Sequence, residues 1–178
     1  LQVYDGSQLA PGASITDWVE GSRRLPLRID RAGVYAIRMA STEFDTVVSI
    51  EGNGLSLSND DSEGSDSLLS AWLEPGSYTI NATGYDGAGR GQYELSVAER
   101  ELPEGVTVAA DGELVAGREL SALYQGRPVA YRLSVPSRQL LELEMRSAEL
   151  DSRLALEGPG VSMEDDDSGN RLDAKITS

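Results

Sequence analysis

Two stretches decide the fold: SIEGNGLSLSNDDS at Ser49–Ser62 and ALEGPGVSMEDDDS at Ala155–Ser168. Each holds an apolar–polar alternation, a two-residue break with glycine, a second alternation and an acidic run. A period of two marks a strand with one buried face. In the first stretch the break is Asn53-Gly54. Both central residues of a type I′ turn need positive φ, which Asn and Gly adopt most readily. A hairpin with Ile50 opposite Leu57 is therefore expected. In the second stretch the break is Pro159-Gly160. Proline cannot take positive φ, so a different turn is expected there, and the turn rule leaves its register open.

The likeness continues outward at a spacing of 106 residues. Asp5-Gly6 falls on Asp111-Gly112, and Trp18 on Tyr124. Leu25, Leu27 and Ile29 fall on Tyr131, Leu133 and Val135. Tyr35, Ile37 and Met39 fall on Leu141, Leu143 and Met145. One extra residue in the second copy then brings Asp66-Ser67 onto Asp173-Ala174. A repeat this long is a whole domain rather than a solenoid unit. The expected organisation is a first domain at 1–99, a linker RELPEG at 100–105, and a second domain at 106–178. The second copy has no equivalent of Trp72–Val97, which should supply the last two strands. Continuation of the chain beyond Ser178 is the favoured explanation. Truncation and completion by a strand from another molecule are the others.

Further alternations at Arg24–Asp30, Val34–Ala40, Ser77–Thr83 and Gln92–Ala98 put Leu25/Leu27/Ile29, Tyr35/Ile37/Met39, Tyr78/Ile80/Ala82 and Tyr93/Leu95/Val97 on inner faces. Short strands with regular turn punctuation indicate an all-β protein of tandem, jelly-roll-like antiparallel β-sandwiches. The glycine-rich GYDGAGRGQY (Gly84–Tyr93) precedes a strand. It has no following helix to hold a phosphate. Trp18 aligns with Tyr124 and Trp72 lies in an apolar strand, so both rings are expected in the core.

Composition narrows function. The chain has 178 residues, 30 acids against 15 bases, and a formal net charge of −15. Nucleic acid and anionic membranes are poor partners for such a surface. Arg23, Arg24 and Arg28 read as a solvated face. Cations, basic proteins and neutral polymers stay open, and salt adaptation also produces such acidity. There is no Cys and no His, which removes disulfides, thiolate nucleophiles, Ser–His–Asp triads and the usual general base. Lys175 is the only lysine. Catalysis by this chain is not expected. No apolar run approaches the ~18 residues of a membrane span, and LQVYDGSQLAPG at the start has no signal-peptide pattern.

The first copy resembles the bacterial pre-peptidase C-terminal (PPC) domain. The resemblance rests on Asp45, Asn53-Gly54, Asp60-Asp61-Ser62, Pro75-Gly76-Ser77-Tyr78 and Gly91-Gln92-Tyr93-Glu94-Leu95, in that order. It covers nearly all of the first copy and the front of the second. It implies a β-sandwich in a secreted, periplasmic or cell-surface bacterial protein, accompanying an enzyme, often a protease, without being catalytic. Some relatives bind calcium and protein or polysaccharide. No peptidase domain is present in this sequence, and collagen-binding aromatics cannot be matched.

The acidic turns bear on calcium. In the hairpin, a carboxylate from the start of the first strand (Asp45) approaches one from the end of the second (Asp60 or Asp61), and like charges across a ladder repel. Ca²⁺ takes six to eight oxygen ligands and would relieve that. The candidate ligands are Asp45, Asn59, Asp60, Asp61 and Asp66 in the first copy. In the second they are Asp151, Asp165, Asp166, Asp167 and Asp173. The competing reading is plain turn chemistry, since Asp, Asn, Ser and Gly cap their own backbone. The expected role is a non-catalytic accessory or binding module, Ca²⁺-stabilised on the first reading of the acidic turns, for attachment to an extracellular protein or polysaccharide or for spacing. The alternatives are a subunit of an extracellular assembly, a homo-oligomer through the incomplete second domain, and a salt-adapted spacer without a ligand.

Overall fold

The structure is a computed structural model that describes residues 1–60, 64–148, 150–170 and 173–178. Among these residues it is built of β-strands, with a single short 3₁₀ turn at Tyr85–Gly87 and no α-helix. The strands are β1 (Gln2–Val3), β2 (Ser14–Ile29), β3 (Gly33–Ala40), β4 (Thr46–Gly52), β5 (Leu55–Asn59), β6 (Ser67–Leu73), β7 (Gly76–Gly84) and β8 (Gly89–Arg100). They continue as β9 (Val106–Val108), β10 (Gly112–Leu114), β11 (Ser121–Leu123), β12 (Tyr131–Leu133), β13 (Glu142–Met145), β14 (Leu154–Gly158), β15 (Val161–Asp165) and β16 (Ala174–Thr177). In space the chain forms two compact units, Leu1–Arg132 and Leu133–Ser178. The division falls later than residues 100–105. One reason is that Gln125 is hydrogen-bonded to the backbone of Trp72, inside the first unit.

In the first unit the strand order is β5-β4-β7-β2-β8-β3-β6, with β1 alongside β2. The sixteen-residue β2 is shared by two layers. Its first half, Ser14–Gly21, pairs antiparallel with β8, and its second half, Ser22–Ile29, with β7. The change of partner comes at Gly21, whose φ of +83° is costly for any residue with a Cβ. The Thr83 hydroxyl donates to the Gly21 carbonyl at 2.6 Å and holds the bend.

The alternating positions named from the sequence form the core. Leu25, Ile80, Ile50 and Leu57 lie in one row across β2, β7, β4 and β5, and the first three are fully buried. In the other layer Leu69, Ile37 and Val97 make a row across β6, β3 and β8. Rows of branched side chains on one pleated face are the unit of sheet stability. Where the layers meet, Thr46 is fully buried. Its Oγ1 lies 2.9 Å from Ser67 Oγ, 2.9 Å from the Ser65 carbonyl and 3.2 Å from the Met39 carbonyl.

Trp18 departs from the sequence expectation. It is 54% exposed, because Ile15 and Val19 take the inner face of β2 and Trp18 projects outward opposite Gln92. Trp72 is half-buried, with its indole N–H donating to Glu74 Oε1 at 2.8 Å.

Two hairpins carry the same register. In β4–β5 the pairs are Val48↔Asn59, Ile50↔Leu57 and Gly52↔Leu55; in β14–β15 they are Leu154↔Asp165, Leu156↔Met163 and Gly158↔Val161. The first turn has Asn53 at φ +49° and Gly54 at +76°, as a type I′ turn requires. The second has proline followed by Gly160 at φ +77°, the combination of a type II turn. Two turn types thus deliver one register. The pairing of β3 with β6 is repeated as well. Ile37↔Leu69 and Met39↔Ser67 correspond to Leu143↔Ile176 and Met145↔Ala174 in β13–β16.

Candidate functional site

The acidic turns follow β5 and β15. In the first, Asn59 ends β5 opposite Val48. Its Oδ1 is buried with no hydrogen-bond partner among the described residues. Asp60 is exposed, and Asp61 lies outside the described residues. Asp66 accepts a short hydrogen bond from the Arg38 guanidinium on β3, so its charge is met by a cation of the protein itself. Asp45 is exposed and lies before the paired part of the hairpin. Its carbonyl accepts the Tyr85 N–H at 3.0 Å.

In the second turn the residue equivalent to Asn59 is Asp165, and it is fully engaged. Its carboxylate accepts the Lys175 N–H at 2.7 Å, the Ser168 N–H at 3.1 Å and the Ser168 hydroxyl. These donors, the Ser168 hydroxyl foremost and the Lys175 amide next, hold its carboxyl below the ordinary aspartate value. Asp173 accepts the Ser147 N–H at 3.4 Å, and its carbonyl accepts the Gly169 N–H at 2.8 Å. Asp151, Asp166 and Asp167 are exposed. Among the described residues, no three acidic side chains come together closely enough to share one ion. The turns therefore bring together carboxylates and backbone donors more than carboxylates and one another.

A second polar cluster spans the Gly21 bend of β2, with no sign in the linear sequence. Asp17 Oδ2 accepts Arg23 Nε at 3.0 Å and the Tyr93 hydroxyl at 3.2 Å, and the Arg23 guanidinium lies 5.6 Å from the centre of the Tyr4 ring. Burial, and then the Asp17 charge, push the Tyr93 hydroxyl well above its ordinary pKa. Tyr93 therefore acts as a neutral donor to a carboxylate. Asp17 and Tyr93 are 76 residues apart, and only the β2–β8 pairing brings them face to face. Arg23, Arg24 and Arg28 are exposed, and Arg28 pairs with Asp30 at 3.0 Å.

No family model matches the chain, and no curated protein matches it. Among solved structures the chain is similar to the pre-peptidase C-terminal domain of collagenase from Bacillus anthracis, at 16% identity and a TM-score of 0.44, over 55% of this chain and 98% of that one.

Proposed function

We propose that the chain is a tandem pair of PPC-like sandwiches, serving as a non-catalytic accessory module of a secreted or surface bacterial protein. Its work is attachment or spacing. The observation that supports the duplication is the shared register: two strand pairs recur with the same partners at equivalent positions, through turns of different chemistry. The order of motifs from Asp45 to Leu95 supports the family. The absence of His and Cys from the sequence supports a role without thiolate or imidazole chemistry.

The purified chain is to be sedimented with insoluble collagen, chitin, cellulose and peptidoglycan. Retention on one of them is the expected result. Turnover of a peptide or glycoside substrate that a single carboxylate substitution abolishes would overturn the reading.

A second reading, a subunit of an assembly completed by strands from a neighbour, is favoured by one observation. Among the described residues β13 pairs only with β16 and β14 only with β15, whereas β3 and β4 are each paired on both sides. Concentration-dependent association in light scattering is its expected signature, and a concentration-independent monomer sinks it.

Calcium at the first acidic turn is a separable proposal. Its support is Asn59 Oδ1, a buried oxygen without a donor among the described residues. Adding millimolar Ca²⁺ to chelator-treated protein should raise its melting temperature by mass action, and Asn59→Ala should remove the rise. An unchanged melting temperature disposes of it.

A further inference from the structure

The strand order of the first unit ends at β5 on one side and β6 on the other. One dipeptide meets both ends. Gln125 reaches β6: its Oε1 accepts the Trp72 N–H at 3.1 Å, and its Nε2 donates to the Trp72 carbonyl at 2.8 Å. The next residue, Gly126, lies against β5. A Cβ there would sit 2.6 Å from the Ser56 carbonyl oxygen and 2.6 Å from Leu57 Cδ2, and its φ is +75°. Only glycine fits both the conformation and the space.

In an antiparallel ladder alternate residues turn both backbone groups to the same side. Trp72 stands opposite Val34 of β3, yet gives both its N–H and its carbonyl to Gln125. These are the groups an incoming strand would use, and an edge that offers them is open to pairing. A primary amide donates and accepts in one plane, so it presents to Trp72 what a neighbouring peptide group would present. Glutamate would supply no donor, and alanine neither group.

We infer that Gln125-Gly126 is a clasp across the seam between β5 and β6, which closes the first sandwich to strand addition by a second copy of this chain. It lies in the region after β8 that the sequence assigns to the start of the second copy. The clasp therefore makes that region a working part of the first sandwich. This inference does not rest on the attachment role proposed above.

The test is residue-resolved amide exchange on the full chain, with Gln125→Ala and Gln125→Glu beside the wild type. In Gln125→Ala the Trp72 amide is expected to exchange about tenfold faster or more. The Ala71 and Leu73 amides, which by alternation face β3, keep their protection. The same variant should associate more strongly than the wild type in light scattering. Gln125→Glu should keep part of the Trp72 protection through its remaining acceptor, without added association, because a charge at an edge discourages pairing. Equal exchange at Trp72 in wild type and Gln125→Ala overturns the clasp. Faster exchange with unchanged association overturns its guarding role.

Discussion

Replacing Ile80 by alanine tests the core more sharply than any other single change. Ile80 is fully buried in β7, between Leu25 on β2 and Ile50 on β4. The substitution removes three carbons. At about 0.8 kcal/mol per buried methylene the transfer loss is roughly 2.4 kcal/mol. The row is held on both sides by paired strands, so the space cannot collapse freely, and a cavity cost brings the total to about 3–4 kcal/mol. For a unit the size of Leu1–Arg132 this lowers the melting temperature by roughly 10–20 °C. Urea unfolding followed by tryptophan fluorescence is the assay of choice. Trp18 and Trp72 both lie within Leu1–Arg132, so the signal reports that unit and not Leu133–Ser178. The midpoint should fall with an unchanged slope. Ser77→Ala, on the same strand but exposed, should stay within about 0.5 kcal/mol. A loss below about 1 kcal/mol at Ile80, or an equal loss at Ser77, would refute the assignment of inner and outer faces.

Positions 46 and 152, which the 106-residue spacing puts in correspondence, yield a contrasting pair. Thr46→Val deprives Ser67 Oγ and two carbonyls of a buried partner and is expected to cost about 1–3 kcal/mol by chemical denaturation. Its counterpart Ser152 is fully buried, with a hydroxyl that has no partner among the described residues; Ser152→Ala should be stabilising by up to about 1 kcal/mol, read from the melting of Leu133–Ser178 by NMR. The Asp165 carboxyl has its folded pKa lowered by Ser168 and Lys175. Its contribution is therefore complete above the unfolded pKa and disappears as pH falls through the folded value. A carbon-detected NMR titration should show Asp165 protonating below ordinary aspartates, and Ser168→Ala should move it back up.

Much of the first unit was legible because its core is written in steps of two. Leu25/Leu27/Ile29 and Tyr93/Leu95/Val97 could be read without any partner strand. The Asn53-Gly54 turn then fixed Ile50 against Leu57. Trp18 lies outside the core although its alignment with Tyr124 points inward, and the sequence carries the signal: Ile15 and Val19 share a parity that excludes residue 18. Similarity of size between aligned residues says nothing about which face a residue takes. The partners of the acids were hidden for a different reason. Asp66 meets Arg38 and Asp17 meets Tyr93 only through strand pairing, across separations of 28 and 76 residues respectively. Nothing local in the sequence encodes such meetings. Gln125 on Trp72 was hidden likewise, since a lone glutamine in a loop has no pattern to betray a backbone partner 53 residues away.

The bend at Gly21 has a bearing on how the chain is made. Because one strand serves both layers, neither layer is complete until β7 and β8 exist. Ser14 waits for Ser96, and at roughly 5–20 residues per second a ribosome needs on the order of 4–16 s to deliver it. Leu25, Leu27 and Ile29 meanwhile have no partner strand until β7 emerges. Binding of a chaperone to nascent β2, released once β8 has emerged, is the behaviour such wiring demands of a cell.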